Sequence, residues 1–211
     1  MNYLAHTLLS KPNIEYQLGN LLADPLKGKR WEGASDEHYA GMRMHVAIDI
    51  FTDANATISL SKSRLRPKGY LKGVVIDMVY DYFLSKHWDK FVVQNLETFV
   101  DDFNQNATFE TDDLPTKASS FIHSITSNNV LGSYKEFVGL EQAFNRIDRR
   151  LSPRILAKES TTSYIPNIID NYEAIENDFL EFFPVLIKMF LEKSNADNNE
   201  HFFINNFHTN E

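Results

Sequence analysis

The chain of 211 residues contains no cysteine. This absence excludes disulfide bonds and thiolate metal sites. His, Asp and Glu then remain as the side chains suited to bind a metal ion, a ligand set that fits Mn, Mg, Zn or Fe.

Long apolar runs are also absent. No segment reaches the roughly 18 uncharged apolar residues that a membrane-spanning helix needs. The first ten residues, MNYLAHTLLS, have no basic stretch ahead of an apolar core, as a secretory signal would. We therefore expect a cytoplasmic protein without membrane insertion.

Positive charge is in the minority, with 21 Lys and Arg against 29 Asp and Glu and a net charge of -8. Such a balance argues against general binding to nucleic acid or to an anionic membrane, so an anionic partner needs a local basic surface. Two clusters qualify, although solvated helix ends and loops give the same pattern. They are 62–72, which contains Arg64 and Arg66, and 146–154, which contains Arg149 and Arg150.

Apolar residues at three- and four-residue steps fill most of the chain, and no strand alternation of any length is present. Together with 43% hydrophobic residues and 16 Phe, this pattern predicts an all-α, single-domain helical bundle over 1–193, followed by a polar and aromatic tail over 194–211. Long helices are predicted from a Ser35 N-cap to about 62, from about 69 to 91, and from about 168 to 193.

Histidine and aspartate residues recur at four-residue spacing within these helices. Side chains four apart lie on one face of a helix. In GVVIDMVYDYFL the two Asp share a stripe with apolar residues, where an ionised carboxylate needs a cation, hydrogen-bond donors or a metal. A lone His in an apolar helix is more often a core residue, and Asp24 before Pro25 is typical of a turn. Several such residues together predict a metal site: His6 beside Asn2, Asp24 beside Asn20, the series His45, Asp49 and Asp53, and the pair Asp77 and Asp81.

Four segments, MNYLAH, GNLLADPLKG, MHVAIDIFTD and DMVYDYFLSKHW, resemble the acyl carrier protein phosphodiesterases. The resemblance continues through VLGSYKEF, NRIDRRL and YEAIENDFLEFFP, so it covers the chain from Met1 to about Lys193. It implies an HD-domain-like helical fold, because this family is distantly related to the HD-domain metal phosphohydrolases. The adjacent His-Asp pair that names the wider superfamily is absent from this sequence.

The resemblance also implies an activity. It is the hydrolysis of the phosphodiester that joins 4'-phosphopantetheine to a serine of acyl carrier protein, supported by Mn, with Mg or Fe as alternatives. Carried over by position, the metal ligands are His6, Asp24, His45 and Asp77. The residues that would transfer protons or hydrogen-bond to the metal ligands are Asp49, Asp53, Asp81 and His87. Because the carriers are acidic, the predicted substrate contacts are the basic residues Arg64, Arg66, Arg149 and Arg150.

This sequence departs from the family pattern at three positions. Val46 and Ala47 stand where the family has two arginines after the histidine, and Tyr82 stands where it has a histidine. These departures leave open a carrier-binding protein without catalysis. A metal phosphohydrolase acting on a nucleotide or another small phosphodiester also stays open, because its chemistry would be the same and only the docking surface would differ. An isoprenoid-diphosphate transferase also places Asp-x-x-x-Asp on helices, but it has no role for paired histidines.

Overall fold

A computed structural model describes residues 1–111, 114–194 and 202. This part of the chain contains no β-strand, only an isolated antiparallel bridge between Val92 and Phe202, so the prediction of an all-α, single-domain bundle is confirmed. Its twelve α-helices are α1 (Tyr3–Leu8), α2 (Ile14–Leu22), α3 (Asp36–Ala54), α4 (Ala56–Leu65), α5 (Lys72–Lys86), α6 (Trp88–Phe91), α7 (Leu96–Phe109), α8 (Thr116–Ser127), α9 (Phe137–Asp148), α10 (Pro153–Leu156), α11 (Ile165–Asp170) and α12 (Tyr172–Ser194).

Two short 3-10 helices, Leu131–Lys135 and Thr162–Tyr164, connect longer elements. Apart from Ser194, which ends α12, and Phe202, the predicted tail over 194–211 lies outside the described residues. No helix in the described ranges combines the length and the apolar character that crossing a bilayer requires.

The three long helices predicted from the sequence are each interrupted, so their predicted bounds were wrong. The helix from Ser35 stops at Ala54, because the backbone of Asn55 is extended. The Asn55 side chain accepts a hydrogen bond from Thr57 N and so caps the start of the next helix, α4. The second begins at Lys72 and ends at Lys86, and α6 follows it separately. The third divides at Asn171 into α11 and α12. Asparagine caps compete with helix continuation in this way.

Helix α5 lies in the core of the bundle. Several of its side chains have no exposed surface, among them Val75, Val79 and Phe83. The aromatic face of α12 packs on it, with the ring centroids of Tyr80 and Phe179 5.3 Å apart in an edge-to-face arrangement. This packing fixes α5 as the support against which the shorter helices rest.

Helices α2 and α3 approach each other closely through two glycines. A Cβ on Gly19 would lie 2.0 Å from His38 O, and one on Gly41 would lie 2.0 Å from Tyr16 O. Neither contact tolerates a side chain, so the two glycines allow the helix backbones to meet. These contacts hold α2 against the first turns of α3.

The buried carboxylate of Asp81, on α5, holds the start of α1. It accepts hydrogen bonds from the backbone nitrogens of Asn2 at 3.3 Å, Leu4 at 2.7 Å and Ala5 at 3.3 Å. These N–H groups have no partner within α1, so Asp81 serves as their cap from another helix. Burial raises the pKa of Asp81 to about 7, although the three donors and the nearby amino terminus act in the opposite direction.

Candidate metal centre

His6, His45 and Asp49 form a compact cluster of possible metal ligands, contributed by α1 and α3. His6 Nε2 lies 3.3 Å from Asp49 Oδ1, and His45 Nε2 lies 3.1 Å from Asp49 Oδ2. The two imidazole rings stack with centroids 4.1 Å apart. Asp24, just after α2, approaches the same cluster, with its Oδ1 3.3 Å from His45 Nε2.

Asn20 determines which nitrogen of His6 faces the cluster. Its side-chain nitrogen donates to Leu9 O at 3.1 Å and to Ser10 Oγ at 3.0 Å, so its oxygen is the atom that contacts His6 Nδ1 at 2.9 Å. Nδ1 therefore carries the proton of the neutral ring, and Nε2 presents a lone pair. Metal-binding histidines are commonly oriented by such an outer hydrogen bond.

His6 is fully buried, and this burial lowers the pKa of its imidazole below the usual value. The neutral ring then points the lone pair of Nε2 at a carboxylate oxygen of Asp49. Two hydrogen-bond acceptors at this separation repel each other unless a proton or a metal cation lies between them. The arrangement fits a bound metal ion.

His45 has an unusual environment for a buried imidazole. Neither ring nitrogen has an aligned hydrogen bond among the described residues, although Nε2 is close to two carboxylates. Burial lowers the pKa of His45, but contact with Asp24 and Asp49 more than reverses this effect and raises it to about 9. The same contacts lower the pKa of Asp24, and those with both histidines lower that of Asp49 against the effect of burial. Two carboxylates therefore face one cationic ring, and the remaining negative charge favours a metal cation at the cluster.

The separations agree with a first-row divalent ion. Ligand atoms about 2.1 Å from an ion stand about 3.0 Å apart in an octahedron and about 3.4 Å apart in a tetrahedron. The three nitrogen–oxygen separations in the cluster, 3.1, 3.3 and 3.3 Å, lie within this interval. Imidazole and carboxylate ligands without sulfur favour Mn, Fe or Zn over calcium.

The cluster opens into a cavity of about 160 Å³, which we call the metal cavity. Asp53 and Asp77 also line it. Asp53 is exposed and accepts a hydrogen bond from Lys62 Nζ at 2.9 Å. Asp77 accepts one from the Met1 amino group at 2.9 Å. The structure thus groups Asp49, rather than Asp77, with the two histidines.

Two residues that the sequence placed at the site lie elsewhere. Asp81 is buried beneath α1, where it caps the helix as described above. His87 follows α5, and its Nε2 is 2.5 Å from Glu176 Oε1 on α12. Neither side chain lines the metal cavity, because α5 turns these residues toward α1 and α12.

The predicted basic contacts also have distinct surroundings. Arg64 binds both oxygens of the buried Asp178, at 2.7 and 3.0 Å. The guanidinium of Arg66 lies 3.7 Å from the ring centroid of Tyr164 and donates to Ser163 O at 2.8 Å. Both residues therefore join α4 to the C-terminal part of the bundle.

Arg149 and Arg150 are exposed at the end of α9. Arg150 and Arg146 line a second cavity, of about 290 Å³, which shares Asn2 and Tyr3 with the metal cavity. Arg150 thus lines a cavity that adjoins the candidate centre.

The four-residue spacing of Asn20 and Asp24 is visible in the sequence, but the spacing alone assigns Asn20 no role. Its function as the partner of His6 depends on the loop between α1 and α2. That loop brings Leu9 O and Ser10 Oγ to the amide nitrogen of Asn20. A buried amide in an apolar helix is the signal that could have identified it, because such a group needs partners for all its polar atoms.

Comparison with known proteins identifies relatives along nearly the whole chain. The family model for acyl carrier protein phosphodiesterase matches residues 1–186. A protein of that name from Enterobacter sp. (strain 638) is 27% identical over 186 residues, which cover 87% of this chain and 94% of the relative. The protein of that name from Klebsiella pneumoniae (strain 342) is 26% identical over 90% of this chain and 97% of its own length. The one from Yersinia pestis is also 26% identical, over 89% of this chain and 96% of its own length.

No solved structure matches the chain, so the HD-domain-like character stays a prediction. The family match covers the segments that contribute His6, Asp24, His45 and Asp49, and it ends within α12. On this evidence, the chain belongs to the acyl carrier protein phosphodiesterase family.

Proposed function

We propose that this protein is a metal-dependent phosphodiesterase that removes 4'-phosphopantetheine from a serine of acyl carrier protein. Membership of the acyl carrier protein phosphodiesterase family supports the reaction class and the carrier protein as substrate. The observation that supports metal dependence is the pair of facing acceptors, Nε2 of the buried His6 and Oδ1 of the half-exposed Asp49, which lie 3.3 Å apart. A cation between them removes the conflict.

In this proposal His6, His45 and Asp49 hold the ion, and Asp24 completes the ligand set. A divalent ion supplies Lewis-acid chemistry, since it withdraws charge from a phosphoryl oxygen and lowers the pKa of water. Asn20 keeps the lone pair of His6 directed at the ion. Mn is the expected metal, with Fe and Mg as alternatives.

The reaction forms a bond between phosphorus and a water oxygen and breaks the bond between phosphorus and the serine oxygen. Water loses one proton and the serine oxygen gains one, so protons balance across the step. Asp53 and Asp77 line the cavity outside the proposed ligand set. We assign them the proton exchange, because a serine alkoxide is a poor leaving group without a donor.

The proposal is tested by incubating the protein with holo-carrier protein and Mn²⁺ and following the carrier by mass spectrometry. The expected product is the apo-carrier together with free 4'-phosphopantetheine. His45→Ala and Asp49→Ala should abolish the release. His123→Ala removes an exposed histidine on α8 and should react like the wild type.

Two results would overturn the proposal. If the wild type with Mn²⁺ leaves the carrier intact but cleaves a nucleotide diester, the substrate is wrong. If His45→Ala releases phosphopantetheine at the wild-type rate, the metal centre is wrong. The predicted cytoplasmic location stays a prediction in either case.

A further inference from the structure

An apolar stripe lies exposed on α3, directly beside the candidate ligands. Val46 is 48% exposed, Ile50 66% and Tyr39 37%. The positions 39, 43, 46 and 50 are spaced by four, three and four residues, so they share one face of the helix. We call Tyr39, Arg43, Val46 and Ile50 the α3 stripe. It extends for about 16 Å along the helix axis, at 1.5 Å per residue.

The α3 stripe continues into the metal cavity. Val46 and Ile50 line an open, mostly apolar groove of about 690 Å³ together with Asp24, His45 and Asp49. Val46 follows His45 in sequence and Ile50 follows Asp49, so the stripe and the ligands lie on adjacent faces of one helix. A molecule that rests on the stripe therefore has its nearest atoms beside the candidate metal centre.

Cations border the stripe. Lys27 lines the groove on one side, and Arg43 and Lys193 line its continuation along α3, near Tyr39. Arg43 stacks on the ring of Tyr39, with its guanidinium carbon 4.5 Å from the centroid. None of the three cations forms an ion pair with a carboxylate of the described residues. Apart from the aspartates of the metal cavity, the groove has no acidic lining.

We infer that the α3 stripe is the docking surface for the protein side of the substrate, an inference that rests on the proposed function. The matching partner surface carries apolar side chains flanked by carboxylates, next to the serine that bears the diester. An amphipathic helix of about three turns has the length of the stripe. Because the whole protein has a net charge of -8, such a local basic border is needed to attract an acidic partner.

The predicted arginines of the two basic clusters are less well placed than the cations that border the α3 stripe. Arg64 is held by Asp178 and Arg66 by Tyr164 and Ser163. The cavity beside Arg146 and Arg150 meets the metal cavity through Asn2 and Tyr3, which are not candidate ligands. The groove of the α3 stripe, by contrast, shares three candidate ligands with the metal cavity: Asp24, His45 and Asp49.

The test uses the full chain with Mn²⁺ and two substrates, holo-carrier protein and the small diester bis(p-nitrophenyl) phosphate. Ile50→Ser removes an apolar contact and Arg43→Glu reverses a bordering charge. Each should raise KM for the carrier by about tenfold, as expected for an interface anchor and a steering charge. The ratio of carrier to small-diester kcat/KM should fall by the same factor.

Matched controls carry one identical and one corresponding charge-reversing substitution on other surfaces. Ile169→Ser changes an isoleucine of α11 that is 58% exposed, and Lys158→Glu reverses an exposed charge after α10. Both should leave the two substrates unaffected. Binding of apo-carrier, measured by titration calorimetry without turnover, should weaken in Arg43→Glu and lose part of its salt dependence.

The inference is overturned if wild type converts the carrier while Ile50→Ser and Arg43→Glu leave both its KM and the binding of apo-carrier unchanged. It is also overturned if Arg146→Glu and Arg150→Glu produce the selective loss instead, or if the stripe variants change the self-association of the chain and not carrier binding. Failure of the proposed function looks different, because wild type itself then releases no phosphopantetheine.

Discussion

Replacing Asn20 with leucine should weaken metal binding without removing any ligand. The amide of Asn20 is fully buried and makes three hydrogen bonds, to His6 Nδ1, Leu9 O and Ser10 Oγ. In the Asn20→Leu variant, His6 Nδ1–H loses its acceptor, so the ring no longer has a fixed tautomer or orientation. Loss of such an outer partner typically reduces metal affinity by about 10- to 100-fold.

The same substitution also costs stability. Three hydrogen bonds of about 1 kcal/mol each, with two buried groups left unpaired, give a loss of about 3 to 5 kcal/mol. Urea unfolding measures this loss, and titration of the metal-free protein with Mn²⁺ below the unfolding midpoint measures affinity. The two effects must be separated, because a less stable protein can bind metal less well for that reason alone.

Two further variants separate them. Asn20→Asp keeps an acceptor for His6 Nδ1 but loses the amide donors, so it should be destabilised and yet bind Mn²⁺ within about threefold of wild type. Thr161→Val removes a buried hydroxyl that donates to Phe144 O and Asp148, none of which lines the metal cavity. It should lose stability and keep full affinity. Equal affinities in Asn20→Leu and wild type would refute the orientation of His6 by Asn20.

Three other predictions follow from particular contacts. The contacts of His45 raise its pKa to about 9 in the metal-free protein, and only the neutral ring binds metal. Affinity for Mn²⁺ should therefore rise about tenfold per pH unit up to pH 9 and then level off, and calorimetry in two buffers should measure the proton release. A flat profile between pH 6 and 9 would contradict this. Asp81→Ala should lower the free energy of unfolding in urea by about 2 to 3 kcal/mol, since it uncaps α1; an unchanged midpoint would refute the capping role. Arg64→Ala should lower the free energy of unfolding by about 3 kcal/mol, because the buried Asp178 loses its counter-charge and keeps only the hydrogen bond from Ser61. Unchanged stability with a raised KM for carrier would make Arg64 a substrate contact.

The helical fold was predictable because the evidence for it is local. Apolar steps of three and four residues and the Ser35 cap indicated α3, and the Ser35 side chain does accept a hydrogen bond from His38 N. The breaks at Asn55, His87 and Asn171 were not predicted. At each of these the apolar pattern continues across the break, and the competing cap or turn is a short-range preference that periodicity does not register.

The spacing of His45 and Asp49 indicated that both face one point, because four-residue spacing is a property of a single helix. The spacing of Asp77 and Asp81 looked the same, yet these carboxylates face the start of α1 and contact groups 76 to 79 residues away. Sequence periodicity predicts which side chains share one face of a helix, but it does not predict which other segment packs against that face. For the same reason Arg64 resembled a free surface charge, although its partner Asp178 lies 114 residues further along the chain.

The most direct measurement of the central claim is the position of a bound metal ion. Crystals grown with Mn²⁺ and measured at the manganese absorption edge should show an anomalous peak about 2.2 Å from His6 Nε2, His45 Nε2 and an oxygen of Asp49. Asp24 should be the next nearest side chain. A peak that lies instead against Asp77 and away from His6, or beside His87 and Glu176, would contradict the account, as would full activity in a protein that shows no peak at His6, His45 and Asp49.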